Sequence, residues 1–325
     1  MNILYASNDG YAPFLGISLF SLLINNKDAG DINIYVLSNN ISNDKRMHLE
    51  KMVGEFERNI FFIDISDLEK KFGFQINSNG YNITTFARLF LDDLLPCEVE
   101  KVLYLDSDII ICNTIKDFWN VDVEDCLLAA VPEVYMPHDK KAHIGLEKDD
   151  IYYNAGVLLI NRKRWKKENL KDYFLKYYQE MGGSLLYNDQ DIINHCCKNR
   201  IVSVHPKYNF EPNVYYFPYF YLKRINRHYF AGSKKEYKEM IKNPTTIHFL
   251  GDERPWVKGN KNPYSEFFYF YQKESGWDNY LEIDNRQLYM LCYHLLNIIT
   301  RICPWLRTAV TNLIGINKFK WFGKK

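Results

Sequence analysis

The sequence predicts an α/β fold, a mostly parallel sheet with helices covering both faces. Apolar, β-rich runs alternate with helical patterns through the first half of the chain. Several of these runs are apolar throughout, as strands covered on two sides require. With 325 residues, 47% apolar and 25% charged, the chain can bury a core that needs neither disulfides nor a structural metal.

The elements follow in order. "NILYAS" (2–7) reads as a strand and "PFLGISLFSLLINN" (13–26) as an apolar helix. "INIYVLSN" (32–39) is the second strand, and the polar helix near "NDKRMHLEKMVGEF" (43–56) precedes the third, "NIFFIDIS" (59–66). "TTFARLFLDDLL" (84–95) is predicted as a helix with Leu89, Phe90 and Leu94 toward the sheet; it leads into the fourth strand, "KVLYLDSDIII" (101–111). "NAGVLLIN" (154–161) reads as a further buried strand, and "RKRWKKENLKDYFLKYYQEM" (162–181) as one long amphipathic helix. The stretch from Lys207 to Tyr229 is crowded with Tyr, Phe, Pro and Asn and reads as irregular structure, either a sugar-binding wall or core packing.

Seven cysteines, an odd number without C-x-x-C spacing, argue against the usual zinc sites. Cys196 and Cys197 follow "DIINH" on a predicted helix, where buried free thiols fit a reducing compartment. The opening "MNILYASND" has a strand pattern without a basic and then apolar leader, and no segment reaches the roughly 20 apolar residues of a spanning helix. A cytoplasmic location is expected. Net charge is +1, yet from Arg286 onward there are seven Lys or Arg residues and no Asp or Glu. The remainder holds 34 basic against 40 acidic residues, a net of −6.

Ligands of open α/β sheets bind outside the carboxyl ends of the strands. "SNDGY" after the first strand, "DSD" at the end of the fourth and "HFLGDERPW" after "TTI" all meet that test. Asp106 and Asp108 interrupt a run that otherwise reads as buried, where ionised carboxylates are rarely left unbound. At i and i+2 both can turn toward one ion if the backbone bends between them. Hard cations such as Mg²⁺ or Mn²⁺ take carboxylates and leave positions for substrate phosphates, and one imidazole in the set favours Mn²⁺. A solvated turn or helix cap is the competing account of any D-x-D.

Six blocks, "YASNDGY", "ITTFARL", "KVLYLDSD", "YYNAGVLLIN", "NDQDIIN" and "IHFLGDERPW", in this order over roughly residues 1 to 275, resemble glycosyltransferase family 8. The type is that of bacterial galactosyl- and glucosyltransferases of lipopolysaccharide and capsule assembly. The resemblance implies a GT-A fold and retaining transfer from a nucleotide sugar. It implies that Asp106, Asp108 and His248 hold Mn²⁺, with Mg²⁺ as the alternative, against the diphosphate of UDP-galactose or UDP-glucose. A neutral histidine bonded inside the fold is the other account of His248. Ser107 would lie near the ribose. Ala6, Asn8 and Tyr11 would form the uracil and ribose site, with Tyr11 suited to stacking. Asn8 stands where relatives often carry aspartate and Gly10 where many carry asparagine; a turn explains this stretch equally well. Arg88 would point toward the donor sugar and the acidic pair, or else lie on a helix surface. Asn154, Ala155 and Gly156 would line the donor hexose, glycine allowing close backbone approach. Asp189 would accept hydrogen bonds from donor hydroxyls, and Gln190 would lie beneath the anomeric carbon; Asn188 or Asp189 would also serve as a helix cap. Gly251 would approach the phosphates, and Arg254, where a lysine is usual, would pair with them through two donors.

Two domains are expected: a transferase domain over 1–285 and a basic amphipathic tail over 286–325. Leu288, Leu291, Leu295, Ile298, Ile302 and Leu306 recur at helical spacing, with a kink at Pro304, and Lys318, Lys320, Lys324 and Lys325 interleave with Phe319, Trp321 and Phe322. This pattern fits an anionic membrane surface on the cytoplasmic side, or a helix packed on protein. Removing 286–325 is expected to release the chain from membranes and spare sugar-nucleotide hydrolysis. The acceptor implied is a glycan or lipid-linked oligosaccharide, and no nucleic acid is expected as a partner. Rival readings are a non-catalytic nucleotide-sugar-binding protein and a two-carboxylate glycoside hydrolase, the latter needing neither nucleotide nor metal.

Overall fold

A computed structural model describes residues 1–277 and 287–312 of the chain. Its strands are β1 (Asn2–Asn8), β2 (Asn33–Asn39), β3 (Asn59–Asp64), β4 (Lys101–Leu105), β5 (Ile109–Ile111), β6 (Leu128–Pro132), β7 (Tyr153–Asn161), β8 (Ile201–Ser203) and β9 (Thr246–His248). Seven form the main sheet in the order β3-β2-β1-β4-β7-β6-β8, while β5 and β9 pair as a separate ribbon. β7 runs against both neighbours, and the other pairs in the main sheet are parallel. The sheet is therefore mixed and mostly parallel. Because β7 is reversed, its first residues lie at the edge where β1 and β4 end, which brings "NAG" to the same edge as "DSD".

Alternation along the strands divides the core into two layers. Ile3, Tyr5, Leu103, Leu105, Val157 and Leu159 face helix α1 (Ala12–Ile24) and join Leu15, Leu19 and Leu22. Leu4, Val102, Tyr104, Leu158 and Ile160 face the other way, against Phe86, Phe90, Trp165, Phe174 and Tyr178. α1 carries Pro13 in its first turn, where a missing N–H leaves no hydrogen bond unmade. Other helices are α2 (Asn43–Glu55), α3 (Leu170–Glu180), α4 (Asn188–Cys196), α5 (Ser265–Glu274) and α6 (Gln287–Thr300), with a further nine-residue helix at Lys234–Lys242, and all seven cysteines are free thiols.

Three elements depart from expectation. The run 101–111 is two strands, broken at Asp106–Ser107–Asp108, where the chain leaves the main sheet for the β5–β9 ribbon. Residues 83–90 form 3-10 turns before a short α-helix, Leu91–Leu94, although Leu89 and Phe90 are buried as expected. The long helix over 162–181 is two, Arg162–Lys167 and α3, separated at Asn169 with φ +54°, a left-handed conformation that Asn tolerates. Most aromatics of 207–229 go into the core, among them Tyr208, Phe210, Phe217 and Tyr229, while Phe220 is exposed.

The tail is likewise two helices, not one kinked helix. α6 ends at Thr300 and helical backbone resumes from Pro304 to residue 312. The buried residues of α6 are Met290, His294, Asn297 and Thr300. The apolar stripe faces outward: Leu288, Leu291, Leu295, Ile298 and Ile302 are 57–81% exposed, and Leu306 is half-buried. Arg286 and the basic aromatic end, Lys318 to Lys325, lie outside the described residues. Among the described residues no helix is long and apolar enough to cross a membrane.

Candidate active site

The bend after β4 turns both aspartates outward at the sheet's carboxyl edge, and the β5–β9 ribbon supplies the third group. Ile109 pairs with His248, so the imidazole stands beside Asp108. Its Nε2 lies 3.3 Å from Asp108 Oδ1 and 3.8 Å from Asp106 Oδ2. Among the described residues this is the group of three that can hold a metal ion, with one ligand atom from each and all within 4.8 Å of one another. Adjacent ligands of an octahedral ion bonded at ~2.1 Å lie ~3.0 Å apart, so modest closure suffices. Two carboxylates and one imidazole suit Mn²⁺ or Mg²⁺.

Each ligand is oriented by its surroundings. Asp106 Oδ1 accepts from Arg88 Nη2 (2.8 Å) and Tyr104 Oη (2.7 Å), which leaves Oδ2 for an ion. Its backbone N–H donates to the Gly156 carbonyl at 2.9 Å. The tautomer of His248 can be traced from a donor whose identity is beyond doubt. The Gly156 backbone N–H donates to Asn154 Oδ1 (2.8 Å), so the amide atom of Asn209 that meets the same oxygen (2.8 Å) is Nδ2. Asn209 Oδ1 then faces His248 Nδ1 at 2.9 Å, and that nitrogen carries the proton. Nε2 keeps its lone pair toward the aspartates.

Gly156 sits under this arrangement. A Cβ there would lie 2.2 Å from His248 Cε1 and 3.0 Å from Asp106 Oδ2. The close approach that glycine permits is thus to the imidazole. Arg88 is 3% exposed, which excludes a surface role. It donates to Asp106, to Thr85 O (3.1 Å) and to Ala155 O, forms an ion pair with Asp189 Oδ2 (3.1 Å), and holds its guanidinium 3.9 Å over the Tyr104 ring. Ala155 N donates to Gln190 Oε1 (2.9 Å), and Gln190 Nε2 reaches Tyr152 Oη (3.3 Å). Arg88, Asp106, Asn154, Ala155, Gly156, Asp189 and Gln190 therefore form one bonded network.

On the other flank, β1 and β4 pair in parallel with Leu4 beside Tyr104, so Ala6 comes level with Asp106 and Ser107 Oγ reaches Ala6 O (3.4 Å). Asn8 Oδ1 accepts from Tyr11 N (2.9 Å), closing a turn, and the Tyr11 ring meets Phe14 edge-on. Asp9 pairs with Lys45 at 2.7 Å. The turn expected here is present, and it leaves the amide nitrogen of Asn8 out of that bond. After His248 the chain turns through Gly251 in the left-handed region (φ +63°) to Arg254, whose Nε is buried with no hydrogen-bond partner among the described residues. Neither Asn188 nor Asp189 caps α4; Asp191 instead accepts from Tyr187 N (2.8 Å).

Electrostatics follow from burial. Burial pushes the Asp189 carboxyl up to about 7, with Arg88 pulling it down and Asp106 adding to the rise. Burial disfavours a charged His248, but Asp108, by charge and hydrogen bond, and Asp106 outweigh it and raise its pKa above the ordinary imidazole value. Burial disfavours the Asp108 carboxylate too, and His248 and Arg254 more than offset it, so its pKa is lowered.

Residues that sequence patterns did not mark are Tyr104, Asn209, Glu133 and Tyr152. Tyr104 lies two residues before Asp106, a same-face spacing on a strand that makes it readable in retrospect. Asn209 and Glu133, which accepts from Asn154 Nδ2 (3.1 Å), are distant in sequence and carry no local signal.

The profile of glycosyl transferase family 8 matches residues 2–259. The chain is similar to general stress protein A of Bacillus subtilis (strain 168), 25% identical over 86% of this chain and 95% of that one. It is also similar to the lipopolysaccharide 1,2-glucosyltransferase of Escherichia coli (strain K12), 22% identical over 93% and 89% respectively. Among solved structures, galactosyltransferase LgtC in complex with donor and acceptor sugar analogues superposes with a TM-score of 0.71 at 27% identity, covering 84% of this chain and 96% of that one. The mixed sheet with its flanking helices matches that GT-A architecture. Fold, converging acidic pair and family profile agree: the chain belongs to glycosyl transferase family 8.

Proposed function

We propose that the protein moves galactose or glucose from a UDP-sugar to a hydroxyl of a cell-surface glycan or lipid-linked oligosaccharide, with Mn²⁺ and with retention at the anomeric carbon. The convergence of Asp106, Asp108 and His248, with the histidine's lone pair held toward the acids, carries this reading. Arg254 beyond them, its Nε without a hydrogen-bond partner among the described residues, fits a diphosphate that would complete it. When bound, the ion would act as a Lewis acid for the charge that builds on the departing diphosphate. Arg254 adds a fixed positive charge on the same side. Asp189 and Gln190, tied to Arg88 and Ala155, orient the hexose. Glutamine is a poor nucleophile, which favours attack by the acceptor hydroxyl on the face the diphosphate leaves. The test is UDP release from UDP-glucose and UDP-galactose with and without Mn²⁺, with the product's anomeric configuration read by NMR. No metal-dependent turnover with any nucleotide sugar would overturn the proposal.

The same proposal places the chain in the cytoplasm, peripheral to the inner face of the membrane, as a transferase domain over 1–285 and a tail over 286–325. The outward Leu288, Leu291, Leu295, Ile298 and Ile302 and the tail's seven cations without an acid support an interfacial helix on an anionic leaflet. Leu291→Ser/Leu295→Ser is expected to weaken sedimentation with phosphatidylglycerol vesicles. Equal sedimentation of this variant and the parent chain would refute the tail's role.

A further inference from the structure

The face of α6 turned to the protein carries Met290 and a row of polar side chains, four of which, Tyr289, Tyr293, His294 and Asn297, grip the segment that follows His248. Tyr289 Oη donates to Asp252 Oδ2 (2.6 Å), Tyr293 Oη to Glu253 Oε1 (2.5 Å) and Asn297 Nδ2 to the same oxygen (3.2 Å). Lys261 N donates to His294 Nε2 (3.0 Å). Arg307, from the second tail helix, donates to Asn297 Oδ1 and lies 5.0 Å over the Tyr293 ring, fixing both donors. From within the loop, Asn262 Nδ2 holds Glu253 Oε2 (3.0 Å), and Asn260 Nδ2 holds the Asp252 and Arg254 carbonyls (2.8 Å each). Glu253 is 2% exposed. A carboxylate at that depth needs its donors, and two of them come from the tail.

Glu253 immediately precedes Arg254 and lies two residues after Gly251. We infer that the C-terminal helices form a clamp on the phosphate-side loop, with Tyr293 and Asn297 as positioning residues that hold Arg254 in place through Glu253. The inference rests on the reading of Arg254 as a diphosphate partner. It assigns the two faces of α6 separate tasks: the polar face supports the donor site, and the apolar face is left for the membrane. Truncation at 286 therefore removes part of the donor site's support together with the membrane face, against the expectation drawn from sequence.

The test uses the full chain and two point variants. Tyr293→Phe/Asn297→Leu removes both tail donors to Glu253, and Tyr293→Phe alone is the milder form. Leu291→Ser/Leu295→Ser alters only the exposed face. Hydrogen exchange of the amides of residues 251–254, 256 and 257, measured without any ligand, is expected to quicken about tenfold in the clamp variant and to stay unchanged in the apolar-face variant. UDP affinity in the presence of Mn²⁺ is expected to fall about fivefold to tenfold in the clamp variant, with the thermal midpoint of the body little moved. Unchanged exchange in both clamp variants overturns the clamp, and so does equal quickening in the apolar-face variant. A parent chain that fails to bind UDP with Mn²⁺ defeats the nucleotide reading instead, and the exchange measurement still decides the clamp.

Discussion

Replacing Asn209 with leucine removes the acceptor that holds the His248 proton on Nδ1 while nearly preserving volume. Asn209 is 1% exposed, so no water stands ready to take its place. In the variant the buried Nδ1–H loses its 2.9 Å partner, a desolvation cost of about 1–3 kcal/mol. The ring relieves that cost by carrying its proton on Nε2, where Asp108 Oδ1 waits at 3.3 Å. That tautomer has no lone pair for an ion. Metal binding must then restore the unfavourable tautomer and its unpaired donor, so the penalty returns in the affinity. A hydrogen-bond partner of this kind affects metal affinity by about 10–100-fold, or about 1.4–2.8 kcal/mol, consistent with the desolvation figure. Mn²⁺ titration followed by loss of the free-ion electron paramagnetic resonance signal measures it directly, with His248→Ala as the limiting case. An Asn209→Leu chain that folds with an unchanged thermal midpoint and binds Mn²⁺ as tightly as the parent would refute the tautomer argument.

Four further outcomes follow from the same geometry. Gly156→Ala drives a methyl into the imidazole, so Mn²⁺ affinity is expected to fall more than about tenfold by the same titration, the loss of one well-placed ligand. Arg88→Ala strands Asp106 and Asp189 and is expected to lower the unfolding free energy by about 3–5 kcal/mol in urea melts without metal; an unshifted midpoint would contradict the buried network. Arg254→Ala is expected to reduce kcat/KM by about 10²–10³, whereas Arg254→Lys, keeping charge but one fewer aligned donor, stays within about tenfold; equal losses in both would remove charge as the cause. A proton on His248 competes with the ion, and the folded-state pKa is raised, so Mn²⁺ affinity should climb as pH passes upward through that raised value and then level off. A flat profile across pH 6 to 9, or one that falls, would dismiss the imidazole as a ligand.

Sequence alone determined the alternation of strand and helix, because periodicity and chain punctuation are local properties. It also marked the chemistry: a paired acid inside an apolar run is conspicuous wherever the chain later goes, and Asp106 and Asp108 were legible for that reason. Direction was not legible. "NAGVLLIN" is apolar throughout and reads alike either way, so only the assembled sheet decided that β7 runs backward and delivers Gly156 to the histidine. Partnership was not legible either. Arg88 reads as a surface or site residue until Asp106, Asp189 and Ala155 close around it, and Asn209 lies 39 residues from the ring it orients. In the tail, the helical stripe of leucines was plain, but which face turns inward depended on what it would meet. A buried Glu253 needs donors, Tyr293 and Asn297 supply them, and α6 docks by the face that carries both, a choice that exists only once residues 250–262 are folded beneath it.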